Sequence, residues 1–412
     1  MDDGNVPPRS ARILGSTSLT IRTAPLAGGR QRERQDPLRL LVTDGTFKHT
    51  LGIVRQLGRD HHVFVAGERH IAPASLSRYA HRTLTYPSPS NSRAFLAWLD
   101  RVIREHAIDQ VIPVGPITGE IIAEHRERWL PSTCVVIATV DQMRIALNKL
   151  RVSRLAAELG ISVPRTRQPG SLDELNDAAA AVGYPLVIKA APEGATDVAY
   201  VDEPAQLRTT FETYLRRNNW SSASLPLVQQ RIVGPGYGVF ATYQDGECRR
   251  VVAHRRIREF PATGGQSTCA ELVYDPVLFD LGRRLLDALA WHGVAMVEFK
   301  RHVADGIYYL MEVNPKFWGS LDLDLVAGAN FPGDLVAIGN GQLLTPVLPP
   351  NGSLRFCWPL YGDLRHLVER PQAWRAILSD WLNPGVRTNL VWSDPLPHFV
   401  ELALTCRWLL CR

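Results

Sequence analysis

The chain has 412 residues, 45% hydrophobic and 21% charged, which is the composition of an ordinary globular protein and too long for one small core; two or three domains are expected. The formal net charge of +5 is modest, and much of the excess comes from Arg9, Arg12, Arg22, Arg30, Arg32, Arg34 and Arg39, so it marks no nucleic-acid groove. Six scattered cysteines without CxxC or zinc spacing predict reduced thiols and a cytoplasmic protein, and no stretch is apolar for long enough to span a bilayer.

Residues 1–36, rich in Arg, Pro, Gly, Ser and Thr, read as a disordered leader. A transit peptide is the competing reading, opposed by Asp2-Asp3 and the lack of helical amphipathicity. From Leu38 onward LRLLVTDG, HHVFVAG, DQVIPVG and CVVIAT are buried-type strands separated by helical stretches, which predicts a parallel, doubly wound sheet over residues 37–140. Thr43-Asp44-Gly45 and Gly115 fall at strand ends, where such sheets bind ligands, but no GxGxxG supports a dinucleotide site.

A helix over DQMRIALNKLRVSRLAAELG leads to a domain boundary near Gly160 and Pro164. The strand PLVIKAA then delivers Lys189. This residue is either a point charge for phosphate oxygens or a strand-end lysine snorkelling to water. The strand LVQQRIV stops at Gly234-Pro235-Gly236, and Asp245-Gly246 marks a hairpin. In the loop REFPATGGQST, with Arg258, Gly264, Gly265, Ser267 and Thr268, consecutive glycines free backbone N–H groups for an anion, although most such loops are only turns.

The most informative stretch is VAMVEFKRHVADGIYYLMEVNPKFWGS, Val294–Ser320. With a three-residue loop Ala304-Asp305-Gly306, Val303 pairs with Ile307 and Glu298 falls opposite Glu312; alternation then puts Asn314 on the same face. Opposed carboxylates repel. The pairing survives if one is protonated, if both reach water, or if a divalent cation lies between them, and Glu, Glu and an Asn carbonyl are oxygen ligands that Mg²⁺ accepts. A solvent-facing hairpin with two ordinary acids is the plain alternative. The terminal segment FVELALTCRWLLCR has a narrow polar stripe of Glu401, Thr405 and Arg412; it reads as a helix docked on the body, or as an interfacial helix at a membrane surface.

In order, Asn148-Lys149, LAAELGISVPRT, YPLVIK, LVQQRIVGPGYGVF, HRRIREFPATGGQST, MVEFK and LMEVNPKFWGS resemble the ATP-grasp superfamily, most closely carboxylate–amine ligase members related to the synthetase domains of carbamoyl phosphate synthase. The resemblance covers roughly residues 38–345. It implies an α/β pre-ATP-grasp domain over 37–140 and an ATP-grasp fold of two α+β subdomains over 141–345. The small lid subdomain falls at about 165–232, the larger one at 233–345, and 346–412 is left as a helical extension. It implies Lys149 and Lys189 as phosphate-binding lysines, and Gln229, Gln230, Arg231, Ile232 and Val233 as the linker that reads adenine. Glu298, Glu312 and Asn314 become magnesium ligands, with Mn²⁺ an alternative ion. Lys316, where relatives carry Arg, meets the γ-phosphate or acyl phosphate. Arg256 and Arg258, with Gly264, Gly265 and Ser267, close over phosphates and substrate, with Arg258 and Lys316 catalytic. The stretch APEGATDVAY replaces a Ser- or Gly-rich phosphate flap. His254 reads as structural rather than catalytic. The implied activity is an ADP-forming ligase joining a small-molecule carboxylate to an amine, commonly as a homodimer; a phosphotransferase, a carboxylating or carbamoylating enzyme, and a non-catalytic ATP-binding regulator or scaffold are the alternatives.

Overall fold

The computed structural model describes residues 36–190, 198–220 and 225–411, and the unit Pro37–Arg412 is the one considered below. The expected leader up to Gln35, and residues 191–197 of the stretch in the flap's place, lie outside the described residues.

Strands β1 (Arg39–Val42), β2 (His62–Gly67), β3 (Arg82–Thr85) and β4 (Gln110–Ile112) form a parallel sheet in the order β3-β2-β1-β4. Leu40, Leu41 and Val42 are fully buried, because a parallel strand covered by helices on both faces needs apolar side chains in both directions. The intervening helices are α1 (Lys48–Leu57), α2 (Ser92–His106) and α3 (Pro116–His125). CVVIAT forms no regular strand; it touches the sheet through one bridge, Gln110 to Cys134. The helix expected over residues 141–160 is two, α4 (Val140–Leu147) and α5 (Lys149–Glu158). The break is Asn148, whose side chain accepts the N–H groups of Leu150 (3.1 Å) and Arg151 (3.0 Å). That cap sets Lys149 in the first turn of α5.

The small subdomain is an antiparallel sheet of β5 (Thr166–Arg167), β6 (Leu186–Lys189), β7 (Val198–Val201) and β8 (Leu227–Gln230), ordered β5-β8-β6-β7. Helices α6 (Leu175–Val182) and α7 (Leu207–Arg217) cover it with Leu175, Ala179, Leu207, Phe211 and Tyr214, a core separate from the rest.

The large sheet contains β9 (Gly236–Gln244), β10 (Glu247–Phe260), β11 (Gln266–Leu272), β12 (Gly293–Arg301) and β13 (Tyr308–Asn314). Helix α8 (Pro276–Ala288), capped by Asp275, packs Leu278, Leu285 and Leu286 against it, each worth about 1.5–3 kcal/mol of burial. Short helices α9 (Leu321–Val326) and α10 (Phe331–Gly339) follow the hairpin. Residues 346–412 are not the purely helical extension expected from the sequence. Strands β14 (Arg355–Cys357) and β15 (Val386–Thr388) continue the sheet to seven, in the order β13-β12-β9-β10-β11-β14-β15. Helices α11 (Leu364–Glu369), α12 (Trp374–Leu382) and α13 (Leu396–Leu410) accompany them. Among the described residues, no helix is long and apolar enough to cross a membrane.

Candidate active site

The β12–β13 hairpin does place Glu298 directly opposite Glu312, by a different route from the one the sequence suggested. His302 and Ile307 close the turn, with Gly306 at φ +70° supplying the left-handed residue, so the loop is four residues rather than three. That moves Phe299 opposite Leu310. A bulge at Met311 then restores the register, and Met296 faces Asn314. The two offsets cancel. Asn314 Nδ2 donates to Glu312 Oε1 (2.9 Å), so the acids and the amide share one face.

Glu298 is held by Arg256, whose Nη1 and Nη2 donate to Oε1 (3.0 Å) and Oε2 (2.5 Å). Burial pushes the Glu298 carboxyl above its ordinary pKa; Arg256 pulls it back, and Glu312 pushes it up again. Among the described residues no cation makes a hydrogen bond to Glu312, and the oxygen-donor set of Glu298, Glu312 and Asn314 suits a divalent ion.

Lys189, at the end of β6, belongs to the same cluster. Its pKa is pulled down to about 8, first by burial and then by Lys149, while Glu312 and Glu298 oppose the shift and Lys300 adds to it. Lys149 from α5, Lys189 from the small sheet and Lys300 from β12 thus converge on the two acids. Lys300, on the same strand face as Glu298, is a site member that sequence reasoning overlooked, although the run MVEFK displays its spacing.

The linker joins the two sheets. Gln229 is buried and donates to Thr166 Oγ1 (2.8 Å), Gln230 Oε1 accepts from the Arg165 N–H (3.3 Å), and Arg231 Nη1 pairs with Asp202 (3.0 Å). The N–H of Arg231 goes to the Pro185 carbonyl, and the Val233 carbonyl accepts from Val303. Among the described residues, no internal hydrogen bond uses the N–H of Ile232 or the carbonyls of Arg231 and Ile232.

Two expectations need correction. Arg258 does not join Glu298, Glu312 and Lys189. It is buried, with Nε and Nη2 on Asp363 (3.0 and 3.1 Å) and Nη1 on Asp380. Register shifts on either side of Arg258 break the alternation that would have put it beside Arg256. The second concerns the glycine loop, whose amides are already used: Gly264 N–H donates to the Pro261 carbonyl (3.1 Å) and Gly265 N–H to Glu259 Oε2 (3.2 Å). The loop is instead tied to the small sheet by Tyr200, whose hydroxyl donates to the Thr263 carbonyl (2.6 Å).

Lys316 leaves the hairpin toward α1, where it meets a cluster the sequence did not reveal. Lys48 Nζ donates to the carbonyl of Ser267 (2.7 Å) and lies 4.1 Å above the Trp358 ring. Burial pulls Lys48 down to about 8 against the opposing charge of Asp322. Neighbouring His49 is buried with no partner for either ring nitrogen among the described residues; burial, then Lys48 and Lys316, hold its pKa near 3. Gly319 completes the cluster, since a Cβ there would lie 3.1 Å from Lys48 Cε and 3.3 Å from Gln266 Oε1. The available signal was a Lys-His pair opening a helix just after a Asp-Gly strand end.

Two other groups have structural roles. Asp44 accepts from the Gly115 N–H (2.8 Å), Thr118 (2.6 Å), Tyr86 (3.0 Å) and Thr43, so its carboxylate is spent on ordering the strand ends. His254 is buried between Ser320 Oγ (3.1 Å) and Asp324 Oδ1 (2.7 Å), which fixes α9 to β10.

An acid-bearing hairpin of the large sheet, Lys189 from a separate small sheet and a linker between the two sheets make the arrangement of an ATP-grasp fold, and the comparisons agree. Residues 225–355 match the family described as "ATP-grasp in the biosynthetic pathway with Ter operon". A formate-dependent phosphoribosylglycinamide formyltransferase of a Synechococcus strain is 29% identical over 231 residues, 53% of this chain and 56% of that protein. The chain therefore spans about half the length of that relative, and 36% of the corresponding protein of Synechococcus elongatus. The biotin carboxylase domain of a Hydrogenobacter thermophilus 2-oxoglutarate carboxylase, solved as a dimer with MgADP, ADP and bicarbonate, superposes with TM-score 0.62 at 13% identity over 78% of this chain and 74% of that one. An L-amino acid ligase from Bacillus licheniformis gives 0.60 at 15% identity over 76% and 77%. The fold is that of ATP-grasp proteins, and residues 225–355 carry the ATP-grasp family match.

Proposed function

We propose that the protein is an ATP- and Mg²⁺-dependent ligase that activates a small-molecule carboxylate as an acyl phosphate and couples it to an amine, releasing ADP and phosphate. The observation that carries this reading is the Glu298–Glu312 pair with Asn314, gathered on one sheet face and coupled by charge to Lys189 and Lys149. The backbone N–H of Ile232 and the carbonyls of Arg231 and Ile232 offer the donor and acceptors a purine edge requires. Lys149, Lys189 and Lys300 take phosphate oxygens as point charges. Magnesium held by Glu298, Glu312 and Asn314, or Mn²⁺ in its place, supplies neutralisation of the charge on the transferring phosphoryl group.

A carboxylate oxygen of the substrate attacks the γ-phosphorus and ADP leaves; the amine then attacks the acyl carbon, phosphate departs and the amine gives up a proton. In this reading Lys316, two residues beyond Asn314, holds the phosphoryl oxygens passed from ATP to substrate. In this reading the substrates bind toward the Lys48–His49 cluster, where the buried, neutral imidazole has one donor and one acceptor without a partner among the described residues. Incubation of the protein with ATP, Mg²⁺ and pooled carboxylates and amines tests the reading. Phosphate release that requires both a carboxylate and an amine is the expected result, and nucleotide binding without ADP in any mixture contradicts it. A carboxylating or carbamoylating enzyme is the second reading, favoured by the likeness to a carboxylase domain solved with bicarbonate; ADP release driven by bicarbonate alone would select it.

A further inference from the structure

Strands β11 and β14 are paired at Cys269–Cys357, Ala270–Phe356 and Glu271–Arg355, so the two cysteines stand directly opposite each other. The ladder bonds fix the kind of pair. Trp358 N–H donates to the Thr268 carbonyl (2.9 Å) and Leu272 N–H to the Leu354 carbonyl (2.9 Å). Hydrogen-bonded pairs alternate with open ones, which makes Cys269–Cys357 a non-hydrogen-bonded pair. At such positions the Cα atoms are about 4.5 Å apart and the side chains lean together, within the span of a disulfide. The Sγ atoms lie 3.1 Å apart, and both residues are fully buried. All six cysteines are free thiols.

The surroundings of the two sulfurs are polar and unequal. Arg258 Nη2 donates to Cys357 Sγ (3.3 Å), and a cation on a sulfur favours the charged form that attacks oxidants. Cys269 Sγ lies 3.9 Å from Asp380 Oδ2, and the contact with Cys357, then burial, push its thiol up, so it keeps its proton. Cys269, Cys357 and Asp380 are also donors that a thiophilic cation accepts. Arg258 argues against that ion, because it bonds Cys357 and Asp380 at once and holds the cation's position itself. Access asks for little opening: β14 has three residues, and only β15, of three more, lies outside it.

We infer that Cys269 and Cys357 are a redox-active dithiol that a hydroperoxide converts to a cross-strand disulfide, independent of the ligase reading. With hydrogen peroxide, the Cys357 sulfur attacks one oxygen, the O–O bond breaks, and a sulfenic acid forms as the first water leaves with the thiol proton. The Cys269 sulfur then attacks the oxidised sulfur, the S–O bond breaks, and the second water leaves with the Cys269 proton, passed by way of Asp380. Two thiols are oxidised and one peroxide becomes two waters. The bond fastens the two strands that carry both contacts of Lys48, the Ser267 carbonyl and the Trp358 ring.

The test is to treat the folded full chain with hydrogen peroxide, block remaining thiols by alkylation in denaturant, and digest without reductant for mass spectrometry. A peptide linking Cys269 to Cys357, lighter by two hydrogens than its parts and lost on adding dithiothreitol, is expected in the majority of chains. Because the bond joins positions 88 apart in sequence, the oxidised chain should melt roughly 5 °C above the reduced one. Cys357→Ser should show neither change. Exposed Cys406 and Cys411 report that the oxidant acted. The inference is overturned if those two are oxidised while Cys269 and Cys357 are both recovered alkylated, or if the link forms only after unfolding. It is also overturned if the reduced chain retains a zinc ion that Cys357→Ser loses, because the sulfurs then serve a metal.

Discussion

Two arginines two residues apart on β10 sit in opposite kinds of place. Arg256 grips Glu298 on the face shared by Glu312 and Asn314, while Arg258 is sealed between Asp363 and Asp380 at the junction with the C-terminal strands and helices. Both are carboxylate pairs removed from water, so their contacts look alike. What differs is the neighbour. Glu298 faces a second acid that Arg256 does not hydrogen-bond, whereas Asp363 and Asp380 both bond Arg258, and Asp380 is held by Arg355 as well. On the proposed reading the Arg256 pair is the one a metal exchanges with, and the Arg258 pair is structural.

The largest effect should come from breaking the acid pair. Glu312→Gln is expected to slow ATP-dependent ADP release on the order of 10²–10³-fold, the scale of removing one preorganised charge-stabilising group. Because opposed acids repel, the same change should leave stability unaltered or raise it by about 0.2–1 kcal/mol. Steady-state kinetics beside thermal melting reads both, and a matching fall in stability would assign the pair a structural role. Next, Arg258→Ala should destabilise the protein by about 3–5 kcal/mol, as an uncompensated buried charge does, and Mg²⁺ should not restore it. Arg256→Ala should be rescued: its melting temperature falls without metal and recovers with Mg²⁺ and ADP. Equal rescue of both variants would erase the contrast.

A smaller effect concerns pH. Lys189, pulled down to about 8 in the nucleotide-free protein, loses its charge as pH rises through that value, and phosphate binding favours the charged form. ATP affinity should therefore fall by about tenfold between roughly pH 7 and pH 9 through this linkage. Lys189→Arg, always charged, should show a flat profile over that window. The smallest change is Tyr200→Phe, which removes the hydroxyl that ties the small sheet to the Thr263 carbonyl. One such bond is worth about 1 kcal/mol, so the KM for ATP should rise roughly fivefold with kcat little changed.

Much of this was legible in the sequence, for identifiable reasons. Strand and helix alternation in the first domain, the Asp245-Gly246 hairpin and the opposition of Glu298 to Glu312 all rest on local pattern. The last was reached through a turn one residue too short, compensated by the Met311 bulge. Irregular backbone hid the rest. Bulges around Arg258 turn it away from Arg256, and β14 and β15, three residues each, are too short to show alternation. Lys48 and His49 meet Ser267 and Lys316 across more than two hundred residues, a contact that local periodicity cannot reveal. In α13 the apolar pattern was visible but its direction was not, because buried Asn389 and the Leu360 carbonyl, distant in sequence or irregular in structure, draw Glu401 and Thr405 inward.

The most direct test of the central claim is the affinity of Mn²⁺, read by electron paramagnetic resonance as the loss of free-ion signal, in the presence of ADP. Wild-type protein should bind the ion with nucleotide present, and Glu298→Gln and Glu312→Gln should each weaken that binding about 10–100-fold or more while ADP binding without metal persists. Unchanged Mn²⁺ affinity in both variants would mean that the two facing acids do not hold the nucleotide's metal.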